Sequence, residues 1–278
     1  MSDISKITQE HYTCGNLLES ICAFLQSRGI DPQHPTCEDL FACDQMHGRG
    51  IIATREHFEH AKITSGMHVL DVGCAIGGSS RYIATACDCR VTGIDLTEEY
   101  VDVARELTRR CGLDNKVEYF RADALEMPLE SATFDHVWCH NVTMNIENKP
   151  RLVAEIARVL KAGSRFSCAE TTRGEGGEPF FPLPWASDPS SSFLVTADKM
   201  AAILKTGGFR VIEQIDLTEA NMVYRMEMTE RAKRGERPLS VNPMYFKYGN
   251  GFLERGQNFN KSAEQRLLAE HLIVAEKV

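Results

Sequence analysis

His68-Val69-Leu70-Asp71-Val72-Gly73-Cys74-Ala75-Ile76-Gly77-Gly78-Ser79-Ser80, followed by Val91-Thr92-Gly93-Ile94-Asp95, is the stretch whose reading decides the fold. It reads as strand, glycine turn, helix, strand, carboxylate. Val69, Leu70 and Val72 form the unbroken apolar run of a strand covered on both faces. Gly73 and Gly77 stand where the backbone must turn sharply and let a ligand approach. The amides that open the following helix add the positive end of a dipole. Asp95, about 20 residues past the first glycine, suits hydrogen bonding to a ribose diol. The unit therefore predicts a parallel sheet that binds a nucleoside-containing cofactor at its carboxyl edge.

By itself the run also suits an ordinary strand-to-helix turn with an unrelated acid downstream. Two details sharpen it. Asp71 occupies the strand end, where a dinucleotide fingerprint is apolar, and the third glycine of that fingerprint is out of register. Both favour S-adenosylmethionine over NAD and argue against a nicotinamide-dependent oxidoreductase. In this reading Asp71 organises the loop near the cofactor's charged end.

The rest of the chain alternates. Helices are predicted near 16–28 and 49–62, then strand 67–72, helix 77–86, strand 90–95 and helix 98–111. Strands at 116–121 and 134–139, a helix at 149–160 and a strand at 163–171 follow. Such alternation means a doubly wound sheet. The Gly/Pro-rich segment Gly174–Ser192 is too long for a plain connection and reads as the start of an inserted cap. Helix 196–206, a strand near 209–217, a mostly helical stretch over 218–258 and a last strand at Glu270–Glu276 complete the pattern.

The sequence resembles the class I S-adenosylmethionine-dependent methyltransferases, and within them the small-molecule branch that includes sarcosine/dimethylglycine methyltransferases. The resemblance runs over most of the chain. It is carried by Asp44-Gln45-Met46-His47-Gly48, the glycine loop itself, Gly93-Ile94-Asp95-Leu96 and Arg121-Ala122-Asp123-Ala124-Leu125-Glu126-Met127-Pro128. Phe134-Asp135-His136-Val137-Trp138, Met144-Asn145-Ile146, Arg158-Val159-Leu160-Lys161-Ala162-Gly163 and Pro182-Leu183-Pro184-Trp185-Ala186 extend it. Two departures stand out: Ala75 replaces the usual middle glycine, and Lys161-Ala162-Gly163-Ser164 replaces a Lys-Pro-Gly-Gly turn.

The resemblance implies an α/β, Rossmann-like, seven-stranded, mostly parallel sheet with N-terminal helices and an inserted cap forming a lid. It implies one domain over 1–278. Within it, 1–65 is a helical lid, 66–171 the cofactor-binding core, 172–260 the substrate cap with remaining core elements, and 261–278 a closing strand. The cofactor, S-adenosyl-L-methionine, leaves as S-adenosyl-L-homocysteine. Its contacts fall on Asp71, Gly73, Ala75, Gly77, Asp95, Leu96, Asp123, Ala124 and Asn141. Asp95 holds the ribose, Leu96 packs on adenine and Asp123 reaches the adenine amino group. For Asp123 a capping or turn acid is the alternative, and for Asn141 a turn residue.

Candidate bases are His140 and His47, because imidazole titrates near neutral pH. Gln45, Trp185, Tyr224 and Arg225 are candidate substrate contacts. Phe180, Phe181, Tyr245, Phe246 and Tyr248 extend a potential aromatic cage for a methylammonium group, with core packing of the cap the stronger alternative for any single ring. Arg173 and Arg225 offer anchors for a carboxylate, with surface ion pairing the alternative. The expected reaction is methyl transfer to a small-molecule acceptor, foremost an amine nitrogen as in sarcosine or dimethylglycine. O- or C-methylation of a specialised metabolite is the alternative, and a silent cofactor-binding scaffold a third reading.

Composition agrees. The 278 residues are 43% hydrophobic, enough for a full core, and carry a net charge of −8 with no long basic run. Nucleic acid and anionic lipid are therefore unexpected partners. The start Met1–Lys6 lacks the apolar core of a signal peptide, and no apolar run approaches a membrane span. A cytoplasmic monomer or homodimer is expected. The ten cysteines are expected to be reduced and to hold no metal. His57 and His60, three apart on a helix, are expected on its solvated face. Glu230–Arg237 reads as a solvated helix end.

Overall fold

A computed structural model describes residues 3–236 and 240–278. Met1, Ser2 and Arg237, which figure in the sequence readings, lie outside them. Four helices come first: α1 (Asp3–Tyr12), α2 (Leu17–Ser27), α3 (Cys37–Leu40) and α4 (Ile51–Ala61). Then follow β1 (His68–Val72), α5 (Gly78–Cys87), β2 (Arg90–Asp95), α6 (Glu98–Arg110), β3 (Val117–Arg121), β4 (Phe134–His140), α7 (Lys149–Val159) and β5 (Leu160–Arg173). The chain finishes with α8 (Ala197–Thr206), β6 (Phe209–Asp216), α9 (Thr218–Lys233), α10 (Met244–Tyr248), α11 (Asn250–Glu264) and β7 (Leu268–Lys277).

The strands form one seven-stranded sheet in the order β3-β2-β1-β4-β5-β7-β6. The first five in that order run parallel to their neighbours, and β7 is antiparallel to both β5 and β6. The expected Rossmann-like architecture is therefore present, with one difference of placement. The last strand slots between β5 and β6 rather than closing an edge. A ten-residue strand paired on both sides buries its apolar stretch Leu272, Ile273, Val274 and Ala275, which an edge position would not do.

Each face of the sheet has its own core. Leu70, Val72, Val137 and Phe166 meet Leu152, Val153 and Ile156 of α7 and Met200 and Leu204 of α8. On the other face Val69, Val91 and Trp138 meet Ala61 of α4, Ile83 of α5, and Val101 and Ala104 of α6. Helix α6 has a second apolar stripe, Tyr100, Val103 and Leu107, on which Leu17, Ile21 and Leu25 of α2 and Met244 of α10 pack. That stripe holds the N-terminal helices over the sheet. Helix α7 is stopped cleanly at its start: the Asn148 side chain accepts the Arg151 amide and Pro150 follows.

The chain leaves β1 toward β2 and β3, then returns to place β4 on the opposite side of β1. At such a switch point the adjoining loops diverge and leave a crevice beyond the carboxyl ends of the strands. No helix among the described residues is long and apolar enough to cross a membrane.

Candidate active site

A cavity of about 710 Å³ occupies that crevice, within the range of small-ligand pockets. Its floor is the carboxyl edge of β1, β2, β3 and β4. Its roof comes from α1, the Gln45–Gly50 segment, α9, α10 and α11.

The glycine loop after β1 supplies one wall. Gly73 has φ +71°, and a Cβ there would meet Val142 Cγ2 at 2.4 Å. Ala75 adopts φ +47°, a left-handed conformation that glycine takes freely and alanine does not. The departure from glycine at this position is therefore tolerated under strain. Asp95 ties the loop down: its Oδ2 accepts the Ala75 amide at 3.0 Å and its Oδ1 the Thr97 amide at 2.8 Å. Burial pushes its carboxyl above the ordinary range.

Gly73, Ala75, Asp95, Leu96, Asp123, Ala124 and Asn141 all line the cavity. Asp71 and Gly77 do not. Asp71 lies behind the loop, where Ser80 Oγ donates to its Oδ2 at 2.6 Å, and burial raises its carboxyl to about 7. It fastens α5 to β1 rather than facing a ligand. Gly77 caps α5 at φ +81°, under the Tyr119 hydroxyl that a Cβ would strike at 2.3 Å. Asp123 Oδ1 accepts the Leu125 amide at 2.9 Å, so it is both a turn acid and part of the wall. Asn141 likewise takes φ +54° and accepts the Thr171 amide at 3.0 Å.

Opposite the loop, a buried clasp presents an imidazole. Asp44 and Arg81 pair at 2.9 Å, with only 2% and 0% of their surfaces exposed. Gln45 Nε2 donates to Asp44 Oδ1 at 2.7 Å, and Thr54 Oγ1 donates to Gln45 Oε1 at 2.6 Å. His47 Nε2 lies 3.1 Å from Thr54 Oγ1, and its Nδ1 lies 3.1 Å from the Gly48 carbonyl. Gly78 makes room for this: a Cβ there would meet the Asp44 carbonyl oxygen at 2.3 Å. Sequence reading missed Arg81 and Thr54. The available signal was a cation on the inward side of α5 among small and apolar neighbours.

His47 stacks flat on His140, the last residue of β4, with ring centroids 3.6 Å apart and planes 5° apart. Burial lowers His47 to about 4, and burial with His47 and His57 beside it holds His140 well below its ordinary value. Both imidazoles are neutral at pH 7. His47 has an acceptor within 3.1 Å of each nitrogen, and its single N–H serves either the Gly48 carbonyl or the Thr54 hydroxyl oxygen. His140 has no partner among the described residues, and its Nδ1 is fully buried.

Two expectations fail here. His57 is buried, stacked on Trp138 at 3.4 Å, with Nε2 2.8 Å from Ser167 Oγ. Helix α4 packs its His57 side on the sheet, so only His60, paired with Glu213 at 2.7 Å, reaches the surface. The seven-membered aromatic cage does not assemble either. Trp185 and Tyr224 line the cavity. Phe180 lies under Lys261, Phe246 against Phe24 and Tyr248 against His11. Tyr12, Tyr100, Phe252 and Phe259 supply the other aromatic walls.

Each cationic side chain of the wall has a carboxylate partner, while Arg49 Nε and Arg225 Nη2 have no hydrogen-bond partner among the described residues. Arg49 pairs with Glu56 at 2.6 Å, Arg225 with Glu270 at 2.5 Å and Arg231 with Glu236 at 2.8 Å. Arg173 lies outside the cavity and pairs with Glu178.

Residues 70–168 match the family model "Methyltransferase domain". An O-methyltransferase of Pyrenophora dematioidea is 31% identical over 190 residues, covering 68% of this chain and 68% of its own. The O-methyltransferase cnsE of Penicillium expansum is 32% identical over 222 residues, covering 70% of this chain and 80% of its own. Among solved structures, geranyl diphosphate C-methyltransferase from Streptomyces coelicolor, complexed with S-adenosyl-L-homocysteine, superposes with a TM-score of 0.71. It is 16% identical, and the match covers 100% of this chain and 99% of that one.

Proposed function

The chain belongs to the class I S-adenosylmethionine-dependent methyltransferases, and from that premise we propose that it methylates a hydroxyl oxygen of a neutral, largely apolar small molecule. The observation that carries this reading is His140: a neutral imidazole in the cavity wall with no hydrogen-bond partner among the described residues. The pairing of Arg49, Arg225 and Arg231 points the same way, because each arginine that a carboxylate or phosphate acceptor would meet already has its charge balanced by Glu56, Glu270 or Glu236.

The cavity residues fit the cofactor. Gly73, whose missing Cβ makes room for the Val142 side chain, brings its backbone to the cavity wall beside Ala75, Asp95 and Leu96. In this reading Gly73 and Ala75 border the amino-acid portion, Asp95 accepts from the ribose hydroxyls, Leu96 and Ala124 flank the adenine, and Asp123 accepts from its amino group. Asn141 closes the wall beside His140. When bound, S-adenosylmethionine supplies a sulfonium methyl whose carbon bonds to the acceptor oxygen as its bond to sulfur breaks, the electron pair leaving with sulfur.

The protein's own work is placement, drying and one proton. The roof holds the acceptor in line and excludes water. His140 takes the hydroxyl proton as the oxygen becomes a nucleophile, a role for which a neutral imidazole is suited. His47 backs the ring by stacking and is itself held by Thr54 and Gln45.

The experiment is transfer of isotopically labelled methyl into neutral phenols and alcohols beside glycine, sarcosine, dimethylglycine and phosphoethanolamine, with products read by mass. Label on oxygen is expected. Label confined to an amine or a carbon would return the reading to N- or C-methylation.

A further inference from the structure

Behind His140 lies a second, much smaller space of about 30 Å³. Its wall includes Arg49, His57, Asn221, Glu270 and Ala53, and it shares His140 with the main cavity. Among the described residues, six buried side-chain nitrogens have no hydrogen-bond partner, and three of them, Arg49 Nε, His57 Nδ1 and His140 Nδ1, belong to residues of this one wall. Orphaned polar groups are normally scattered and rare, because each costs about 1–3 kcal/mol. Three gathered round one polar space mark a hydration site, and the volume suits about one or two waters, each needing 10–15 Å³.

We propose that this chamber binds one or two water molecules that hold His140 as its Nδ1–H tautomer and carry off the proton delivered to its other nitrogen. The proposal rests on the reading of His140 as the base. A neutral imidazole can accept at Nε2 only if Nδ1 carries the hydrogen, and that hydrogen needs an acceptor. The described residues offer none; a chamber water does. On methyl transfer, the acceptor's hydroxyl proton moves to Nε2 and the Nδ1 proton passes to the chamber water. From there it moves to the Glu270 carboxylate, which faces both spaces. As product leaves, the Nε2 proton passes to solvent entering the main cavity, and Glu270 returns its proton through the chamber water to Nδ1, restoring the starting tautomer. Arg49 and Arg225 hold Asn221 and Glu270 in place, at 2.6 Å and 2.5 Å.

The direct test is nitrogen-15 NMR of histidine-labelled full-length protein, assigned with His140→Gln. The expected spectrum shows His140 protonated at Nδ1 and not at Nε2; the reverse tautomer would overturn the proposal. Ala53→Leu fills the chamber without touching the main cavity. It should lower kcat about 10-fold and shift the His140 signals, with cofactor affinity and Tm close to the parent's. Parent-like kcat in a folded Ala53→Leu, with His140→Gln still inactive, would discard the water outlet and leave the base intact. Activity retained by His140→Gln would instead remove the base reading on which the proposal stands.

Discussion

The two sides of the cavity are built by opposite strategies. The cofactor side is local: Gly73, Ala75, Asp95, Leu96, Asp123 and Ala124 come from three successive strand ends within about 50 residues of chain, each placed by the same strand-to-helix turn. The acceptor side is assembled from a distance. Helix α1, the Asp44–Gly50 segment, His140 and α9 to α11 bring residues from both ends of the chain over one imidazole pair. Local geometry yields a wall that tolerates a departure such as Ala75. Distant assembly yields a wall held by few, deeply buried contacts, and its failure is correspondingly abrupt.

That contrast can be broken most decisively at His140. His140→Gln should lower kcat by about 10²- to 10⁴-fold while cofactor affinity, measured by calorimetry, stays within about twofold of the parent. Equal losses in both would mean that the two walls are not separable. Next comes the clasp. Asp44→Ala leaves Arg81 charged and buried, and should cost about 3–5 kcal/mol of stability in denaturant unfolding. Asp44→Leu combined with Arg81→Met should recover most of that, since no orphaned charge remains.

On the side proposed to hold the cofactor, Asp95→Ala removes the loop's tether and the proposed ribose acceptor together. It should weaken cofactor binding by about 100-fold, or roughly 3 kcal/mol, by calorimetry. An unchanged affinity would count against the whole cofactor wall.

Acid separates the sides more gently. His136, whose Nε2 lies 2.8 Å from the same Ser167 hydroxyl as His57, is lowered by burial to about 3, and His47 to about 4. The unfolded chain protonates these rings near 6.5 and the folded one resists. Their contribution is therefore complete above pH 6.5 and drains away toward the folded values. At pH 5 each costs about 2 kcal/mol. Asp71 runs the other way: its carboxyl is raised to about 7, so lowering the pH through 7 relieves the cost of keeping it ionised. Hydrogen exchange at pH 5 should therefore show α4, β4 and the Asp44–Gly50 segment losing protection relative to pH 7.5, with β1 and α5 holding theirs. Uniform loss would refute the contrast. The smallest effect belongs to Ala75→Gly. Relief of the left-handed backbone, at about 1–2 kcal/mol, is largely offset by the freer unfolded chain, leaving a net change under about 1 kcal/mol in thermal unfolding.

Much of this was legible in the chain. The strands at 67–72, 90–95, 116–121 and 134–139 fall within one residue of β1 to β4, because periodicity and glycine punctuation act over a few residues. Helices α1 and α3 escaped notice: α1 is weakly apolar and α3 is a single capped turn. His57 was misplaced because spacing on a helix fixes which residues share a face but not which face meets the sheet. Of the aromatic residues offered for a cage, Trp185 and Tyr224 line the cavity while Phe180, Phe246 and Tyr248 pack elsewhere, a division that side-chain direction decides and sequence does not.

By itself, then, the sequence determined the doubly wound sheet, the glycine turn and the acid at 95, since each is a consequence of backbone sterics and short-range hydrophobic pattern. The insertion of β7 between β5 and β6, the Asp44–Arg81 clasp, the His47–His140 stack and the polar space behind it were decided only by tertiary structure. Those contacts join residues 30 to more than 100 positions apart. Burial gives them their chemistry: the same imidazoles and carboxyls in water would keep their ordinary charges, and the two walls would be alike.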